Sequence, residues 1–233
     1  MRRFLLVLVL ITNNALSALP AETLIFRDEF TGSNGTDLVS RSPNTGTSWS
    51  EVIDSTGSLN IQIESNQARA SANSSNDTMV YVANPASSVA DMRVAATMAA
   101  LATGNDAPAG LVFRYVDNDN FYACMLQTTT APERIAWLDK RVGGVYDDSI
   151  DGGLFNISAN DVVSCAVVGT SLEMRVNGDL ILSATDSDLS SAGKGGIYMG
   201  DYPTCTTCDI VTNWLLDDFE VYEITADAER RIW

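Results

Sequence analysis

Hydrophobic and polar residues alternate in short runs along most of the chain. In segment 109–126, one face of the first run carries Leu111, Phe113 and Tyr115, and the other carries Val112, Arg114 and Val116. Four Asx residues follow at 117–120, and a second apolar run covers 121–126. Alternation with a period of two indicates β-strands. Asx residues favour tight turns, so the segment predicts a β-hairpin in preference to a metal-binding loop.

The same pattern recurs about fourteen times, separated by Gly, Asn, Asp and Ser, which is typical of an antiparallel sandwich or barrel. The Asn177-Gly178 pair is the strongest hairpin signal. Segment 92–103 is rich in alanine, but its alternation predicts a strand with small residues facing a concavity. The predicted strands are 23–30, 47–52, 59–64, 67–70, 78–82, 92–99, 111–116, 121–126, 134–142, 162–168, 172–176, 180–184, 195–199 and 215–224.

The beginning of the chain has the three-part form of a secretory signal. Arg2 and Arg3 precede an apolar run at 4–11, and a tail of small and polar residues follows. The apolar run is too short for a transmembrane helix. We therefore expect a signal peptide at 1–21, one domain at 22–225, a tail at 226–233, and an extracellular or cell-surface location. An uncleaved anchor or a buried strand is the alternative for the first segment.

Composition excludes several classes of function. The net charge is −16 at pH 7, which argues against nucleic acid as a partner. The chain contains no histidine, which removes Ser-His-Asp and Cys-His hydrolases, histidine-ligated zinc and lyases that need histidine.

Four cysteines in an exported chain predict two disulfides. Cys124 and Cys165 each lie in the middle of a predicted strand, so the pattern favours a bridge between them. Cys205 and Cys208 lie close together in one loop. A zinc site with four thiolates is the alternative, although the spacing is not that of a zinc ribbon.

The order of motifs resembles the laminin-G-like branch of the concanavalin A-like lectin/glucanase superfamily. The matching motifs are FRDEF, NGTDLVSRSPNTGTSW, GLVFRYVDNDNFYACML, SLEMRVNGDLILSATDSDL, GKGGIYMG and LDDFEVYEI, over about 24–224. The resemblance implies a jelly roll of two curved antiparallel sheets, with carbohydrate held on a concave face or loop rim. It also implies a calcium ion that ties the first strand to the last through Asp28 and Asp217 or Asp218.

The residues themselves leave two explanations for those carboxylates. Asp28 shares a strand face with Phe26 and Phe30, and a carboxylate on an apolar face must be paired, hydrogen-bonded or metal-bound. Calcium accepts such oxygen ligands. Capping of backbone amides at the strand ends is the alternative.

For sugar binding, the candidates are aromatic rings that stack on pyranose faces and polar side chains beside them. These candidates are Arg114, Tyr122, Trp137, Tyr146, Tyr202 and Trp214. The chain has no Glu-x-Asp-x-x-Glu motif of the glucanase branch, so an enzyme is the minority hypothesis. Segment 147–152 faintly resembles an EF-hand loop, but a hairpin loop is the preferred interpretation.

The sequence therefore predicts a secreted, calcium-stabilised, disulfide-bonded jelly roll that binds an extracellular glycan or polysaccharide without catalysis. The alternative is a structural subunit of an extracellular filament, surface appendage or virus particle, which would self-assemble through sheet edges and termini. A glycoside hydrolase is the least favoured hypothesis.

Overall fold

A computed structural model describes residues 21–55, 57, 59–72, 74–75, 77–101, 108–128, 134–200, 209–210 and 213–225. The predicted signal peptide, apart from Ala21, and the predicted tail at 226–233 lie outside these residues, as do Cys205, Cys208 and Tyr202. Ala21 is already the first residue of the first strand.

The described residues form seventeen strands and one short 3-10 helix, Leu38–Ser40. The strands are β1 (Ala21–Asp28), β2 (Ser48–Asp54), β3 (Ile61–Glu64), β4 (Gln67–Ala70), β5 (Ser74–Ser75), β6 (Thr78–Asn84), β7 (Met92–Ala100), β8 (Ala109–Asp117), β9 (Asn120–Thr128), β10 (Arg134–Val142), β11 (Val145–Phe155), β12 (Asp161–Val168), β13 (Ser171–Val176), β14 (Asp179–Thr185), β15 (Lys194–Gly200), β16 (Asp209–Ile210) and β17 (Leu215–Thr225). Among these residues no helix is long and apolar enough to cross a membrane.

Two antiparallel sheets pack face to face. The eight-stranded sheet has the order β14-β13-β12-β7-β17-β4-β3, and β1 also pairs with β17. The seven-stranded sheet has the order β11-β10-β9-β8-β15-β6-β2, and β5 and β16 form a small separate ladder. The first strand therefore pairs with the last, and the predicted all-β, two-sheet jelly-roll sandwich is confirmed.

The core lies between the two sheets and is closed by a disulfide. Alternate residues of the long strands point into it, such as Leu111 and Phe113 of β8 and Val163 and Val167 of β12. The predicted Cys124–Cys165 bridge is present, and it joins β9 of one sheet to β12 of the other across the core. Because both half-cystines are fully buried, the bridge ties the two layers together in the interior.

The predicted turns are confirmed at both hairpins. Asn177 and Gly178 both have positive φ, at 52° and 88°, as a tight turn between right-twisted strands requires. In the first hairpin, the Asp117 carboxylate accepts hydrogen bonds from the Asp119 amide and the Asn120 side chain, so the Asx residues build the turn as expected.

Two local predictions are wrong. Segment 147–152, interpreted as a loop, lies within β11, which pairs with β10 from Val145 to Phe155. In β8 the alternation breaks at a bulge after Phe113, where Arg114 takes a positive φ of 48°. The bulge re-aims the side chains, so that Tyr115 faces away from the core instead of sharing a face with Leu111 and Phe113.

Candidate functional site

A groove runs along the outer face of the eight-stranded sheet in the described part of the chain, and it is here called the outer groove. It has a volume of about 1040 Å³. Its floor follows β12, whose outward residues are Val162, Ser164, Ala166 and Val168. Six residue steps of a strand span about 20 Å, so the floor is long and narrow. The small side chains of Ser164 and Ala166 make the middle of the floor deep.

Each wall of the outer groove carries an arginine–glutamate pair. On one side, Arg93 Nε donates to Glu22 Oε1 at 2.9 Å and Arg93 Nη2 donates to Glu22 Oε2 at 2.6 Å. The Arg93 guanidinium also lies 4.0 Å from the centre of the Tyr222 ring. The hydrogen bonds that Arg93 donates to Glu22 raise the pKa of Arg93 further above its usual value, so the guanidinium stays charged.

The opposite wall repeats this chemistry on β13. Arg175 Nε and Nη2 donate to Glu173 Oε2 at 3.0 and 2.8 Å, and Nη1 donates to the Gly178 carbonyl at 3.0 Å. The four charged side chains are between 24% and 37% exposed. They therefore line an open surface in fixed orientations and leave polar atoms at the groove.

The sheet register fixes how the two walls face each other. Arg93 of β7 lies directly beside Ala166 of β12, and Ala166 lies directly beside Glu173 of β13. In the next row, Ala95, Ser164 and Arg175 are aligned in the same way. The charged residues of β7 and β13 therefore lie two strand spacings apart, about 10 Å, with the small residues of β12 between them.

The structure places three of the predicted sugar-binding residues in the core. Trp214 is buried in the main core cluster. Arg114 is 1% exposed, and its guanidinium donates to the carbonyls of Ala90, Gly169 and Leu189. The hydroxyl of buried Tyr122 accepts the Leu189 amide at 3.2 Å. Arg114 and Tyr122 therefore bind the carbonyl and the amide of Leu189, respectively.

Two other predicted residues meet on the outer face of the seven-stranded sheet. Trp137 belongs there to a second apolar cluster, and half-buried Tyr146 packs against it. We call this group the outer aromatic cluster; its buried members are Val80, Val82, Val112, Tyr115, Phe121, Ala123, Met125, Trp137 and Tyr198. Arg141 covers the Tyr146 ring at 5.0 Å, and Phe121 meets its edge at 6.1 Å. The rings pack against protein groups, so the prediction that they bind sugar gains no geometric support.

No protein-family model and no curated protein matches the sequence. Solved structures do match the fold. The CBM2 module of the evolved Dit protein of Lactobacillus casei BL23 phage J-1 has a TM-score of 0.56 and 12% identity, over 90% of this chain and 99% of that one. The catalytic domain of an endo-1,3-β-glucanase (laminarinase) from Thermotoga petrophila RKU-1 has a TM-score of 0.53 and 10% identity, over 89% and 100%. The metal-free carbohydrate recognition domain of Emp46p has a TM-score of 0.52 and 9% identity, over 83% and 98%.

The fold is a concanavalin A-like jelly roll. The predicted resemblance is therefore confirmed at the level of the fold, and identities this low carry no further conclusion. The structural matches identify the architecture, and a function has to be inferred from the side chains of this chain.

The calcium ion implied by that resemblance fits poorly at Asp28. The Asp28 carboxylate is fully buried, and its oxygens accept hydrogen bonds from Trp49 Nε1 at 2.8 Å and the Phe30 amide at 2.9 Å. Arg41 Nη1 lies 2.9 Å from the same group. Burial raises the pKa of Asp28, and the two hydrogen bonds and the charge of Arg41 oppose that shift. These groups therefore occupy the directions from which a cation would be bound.

Asp217 and Asp218 do not complete a metal site in the described part of the chain. Asp217 Oδ1 accepts the Asp218 amide at 2.8 Å, and Asp218 Oδ1 lies 3.9 Å from Arg27. No group of three or more acidic or cysteine side chains that could hold a metal occurs among the described residues. Calcium binding stays a prediction that these contacts do not support, and the function proposed below does not require it.

The residues of the outer groove were missed because none of them stands out in the sequence. Arg93, Glu173 and Arg175 appear there as ordinary charges on strand faces. The one signal was the alternation of Arg93, Ala95 and Thr97 in β7, which predicted small residues facing a concavity. Their alignment with β12 and β13 depends on strand register, which a single sequence does not supply.

Proposed function

We propose that this protein is an extracellular, non-catalytic binding domain that holds an extended, uncharged polysaccharide chain in the outer groove. The observation that carries the proposal is the long groove itself, with small floor residues between two arginine–glutamate walls. The structural neighbours are named as a carbohydrate-binding module, a glucanase and a carbohydrate recognition domain, which supports the choice of ligand class.

The floor of the groove favours a polysaccharide over a peptide. The backbone of β12 is paired with β7 on one side and with β13 on the other. A peptide lying on this face therefore cannot gain the main-chain hydrogen bonds that drive strand addition at a sheet edge. A pyranose chain needs none, because it can place its apolar faces on Val162, Ala166 and Val168 and its hydroxyls towards the walls.

The walls favour an uncharged chain. Each arginine is already neutralised by a glutamate, so the groove offers fixed hydrogen-bond donors and acceptors without a net local charge. The net charge of −16 would repel an acidic polysaccharide. Guanidinium and carboxylate groups held in place by each other also lose little side-chain entropy when a hydroxyl binds.

The positions of the acids argue against hydrolysis in this groove. Glycosidases place two carboxyl groups about 5–10 Å apart across the scissile bond. Glu22 lies on β1 and Glu173 on β13, with β17, β7 and β12 between them. Four strand spacings separate the two backbones by about 19 Å, which argues against joint action of the two carboxyl groups on one bond.

The experiment is titration calorimetry of the purified domain with neutral oligosaccharides of increasing length. We expect affinity to rise with length until the chain fills about 20 Å, and then to level off. Ala166→Trp should fill the floor and weaken binding at least tenfold. Ala159→Trp, at an exposed position between β11 and β12, is the matched control and should bind normally.

Two results would overturn this proposal. One is normal binding by Ala166→Trp, which would place the ligand elsewhere. The other is a folded domain that binds no neutral glycan on an array. If that blank array came with high-molecular-weight assemblies of the mature protein, the structural-subunit alternative would replace it.

A further inference from the structure

Opposite charges lie at equal distances on the two sides of the outer groove, so a second copy of the chain can face it with complementary charges. Arg93 and Glu173 lie in one row at equal distances on either side of Ala166. A two-fold axis that runs along β12 in front of this face exchanges the two sides. It therefore places Arg93 of one copy opposite Glu173 of the other, twice. The same operation sets each β12 floor opposite itself.

We propose that two copies close face to face around one polysaccharide chain, so that each outer groove supplies half of the binding site. This inference rests on the function proposed above and names the assembly that performs it. The second copy contributes Arg93, Glu173 and the β12 floor to the same ligand. Such a contact is isologous and closes as a dimer without generating a filament.

The charges along the contact alternate without breaking any pair seen in one copy. Four charges then follow one another across the contact. Glu22 pairs with Arg93 in one copy, Arg93 faces Glu173 of the other copy, and that Glu173 pairs with Arg175, so the signs alternate. Each inner charge then has an opposite charge on both sides. Networks of this kind contribute more than isolated exposed pairs, and they fix the register of the two surfaces.

The shape of the groove explains why the dimer needs its ligand. Two facing grooves of about 1040 Å³ enclose a large hollow when the walls meet. Protein interfaces of stable dimers are packed as densely as interiors, so an unfilled hollow leaves too little contact. Two copies that each carry a net charge of −16 also repel each other at long range. A bound chain fills the hollow and contacts both floors.

The test is sedimentation velocity of the domain with a neutral oligosaccharide long enough to fill the groove, chosen from the calorimetric series. We expect a monomer without sugar and a dimer holding one sugar chain when sugar is added. Arg93→Glu alone places like charges opposite each other twice, and so does Glu173→Arg alone. Each variant should weaken dimerisation at least tenfold.

Sedimentation of an equimolar mixture of the two variants tests whether residues 93 and 173 face each other across the dimer. In a mixed dimer the new carboxylate at position 93 faces the new guanidinium at position 173, and the two unchanged residues face each other. Dimerisation should therefore return only in the mixture. Arg27→Glu is the control and should dimerise normally, because it reverses a partly exposed arginine of β1 that lies outside the outer groove and pairs with Glu29.

A monomeric wild-type complex with one sugar bound per copy would overturn the dimer and leave the proposed function intact. A mixture no better than the separate variants would also overturn it. A folded domain that binds no sugar in calorimetry would overturn both proposals together.

Discussion

The buried Arg114 offers the sharpest test of a structural role against a binding role. Its side chain comes off a bulged residue of β8 and reaches three separate connections of the sandwich. Nε donates to Ala90 O at 2.8 Å, and Nη1 donates to Gly169 O at 2.9 Å and Leu189 O at 2.7 Å. Nη2 lies 3.3 Å from Asp91 Oδ1. We therefore expect Arg114→Met to destabilise the whole domain.

The magnitude follows from what the substitution leaves behind. Methionine fills much of the same space but donates no hydrogen bond, so three carbonyls lose this donor. Leu189 is buried, Ala90 is half-buried and Gly169 is exposed. A buried acceptor left unsatisfied costs about 1–3 kcal/mol, and each of the two other hydrogen bonds contributes about 0.5–1.5 kcal/mol. We expect a loss of about 2–6 kcal/mol in the free energy of unfolding. For a chain of this size, that lowers the melting temperature by roughly 4–24 °C.

The assay is urea denaturation of wild type and Arg114→Met, followed by tryptophan fluorescence. The midpoint should fall while the slope with urea stays the same, because the surface exposed on unfolding is unchanged. Arg27→Met removes a partly exposed arginine that pairs with Glu29, Glu220 and Asp218, and it should cost about 1 kcal/mol or less. If Arg114→Met cost no more than this control while glycan affinity fell, the structural role would be refuted and Arg114 would return as a ligand contact.

Three further predictions concern the interior. Replacing Cys124 and Cys165 with alanine should lower the unfolding free energy by about 4 kcal/mol, the loop-closure value for their separation of 41 residues, as measured by urea denaturation. Burial opposes ionisation of Asp186, but hydrogen bonds from Lys140 and Tyr122 outweigh it and hold the pKa of Asp186 below its usual value. Wild type should therefore exceed Asp186→Asn by about 1–3 kcal/mol above roughly pH 5, and this advantage should vanish as the pH falls through the lowered pKa. Melting in calcium and in a chelator should give the same midpoint, because donors surround Asp28; a rise in calcium would restore the predicted metal site.

Much of the fold could be predicted because its signals are local. Period-two alternation identified nearly every long strand, and the bounds of 67–70 and 134–142 agree with β4 and β10. β11 was missed because its Asp and Gly residues have low strand propensity. It forms at the edge of the sheet, where it pairs with β10.

The candidate site could not be predicted in the same way because it depends on residues far apart in the sequence. Arg93, Ala166 and Glu173 meet only because β7, β12 and β13 are neighbours in a particular register. The aromatic residues were predicted to stack on sugar rings, but Trp214 and Tyr122 pack in the core instead. A large ring removes much apolar surface from water, so packing is its commonest use in a sandwich.

Asp28 follows the rule that a buried carboxylate needs a partner, but the rule does not identify the partner. A carboxylate between two phenylalanines of one predicted strand had to be paired, and it is. Its partners, Trp49 and Arg41, come from β2 and from the connection before it. A metal would require those donors to turn away and leave a buried guanidinium without its anion, which costs more than the site gains unless other ligands replace them. The sequence therefore determined that a partner exists, and the topology determined which one.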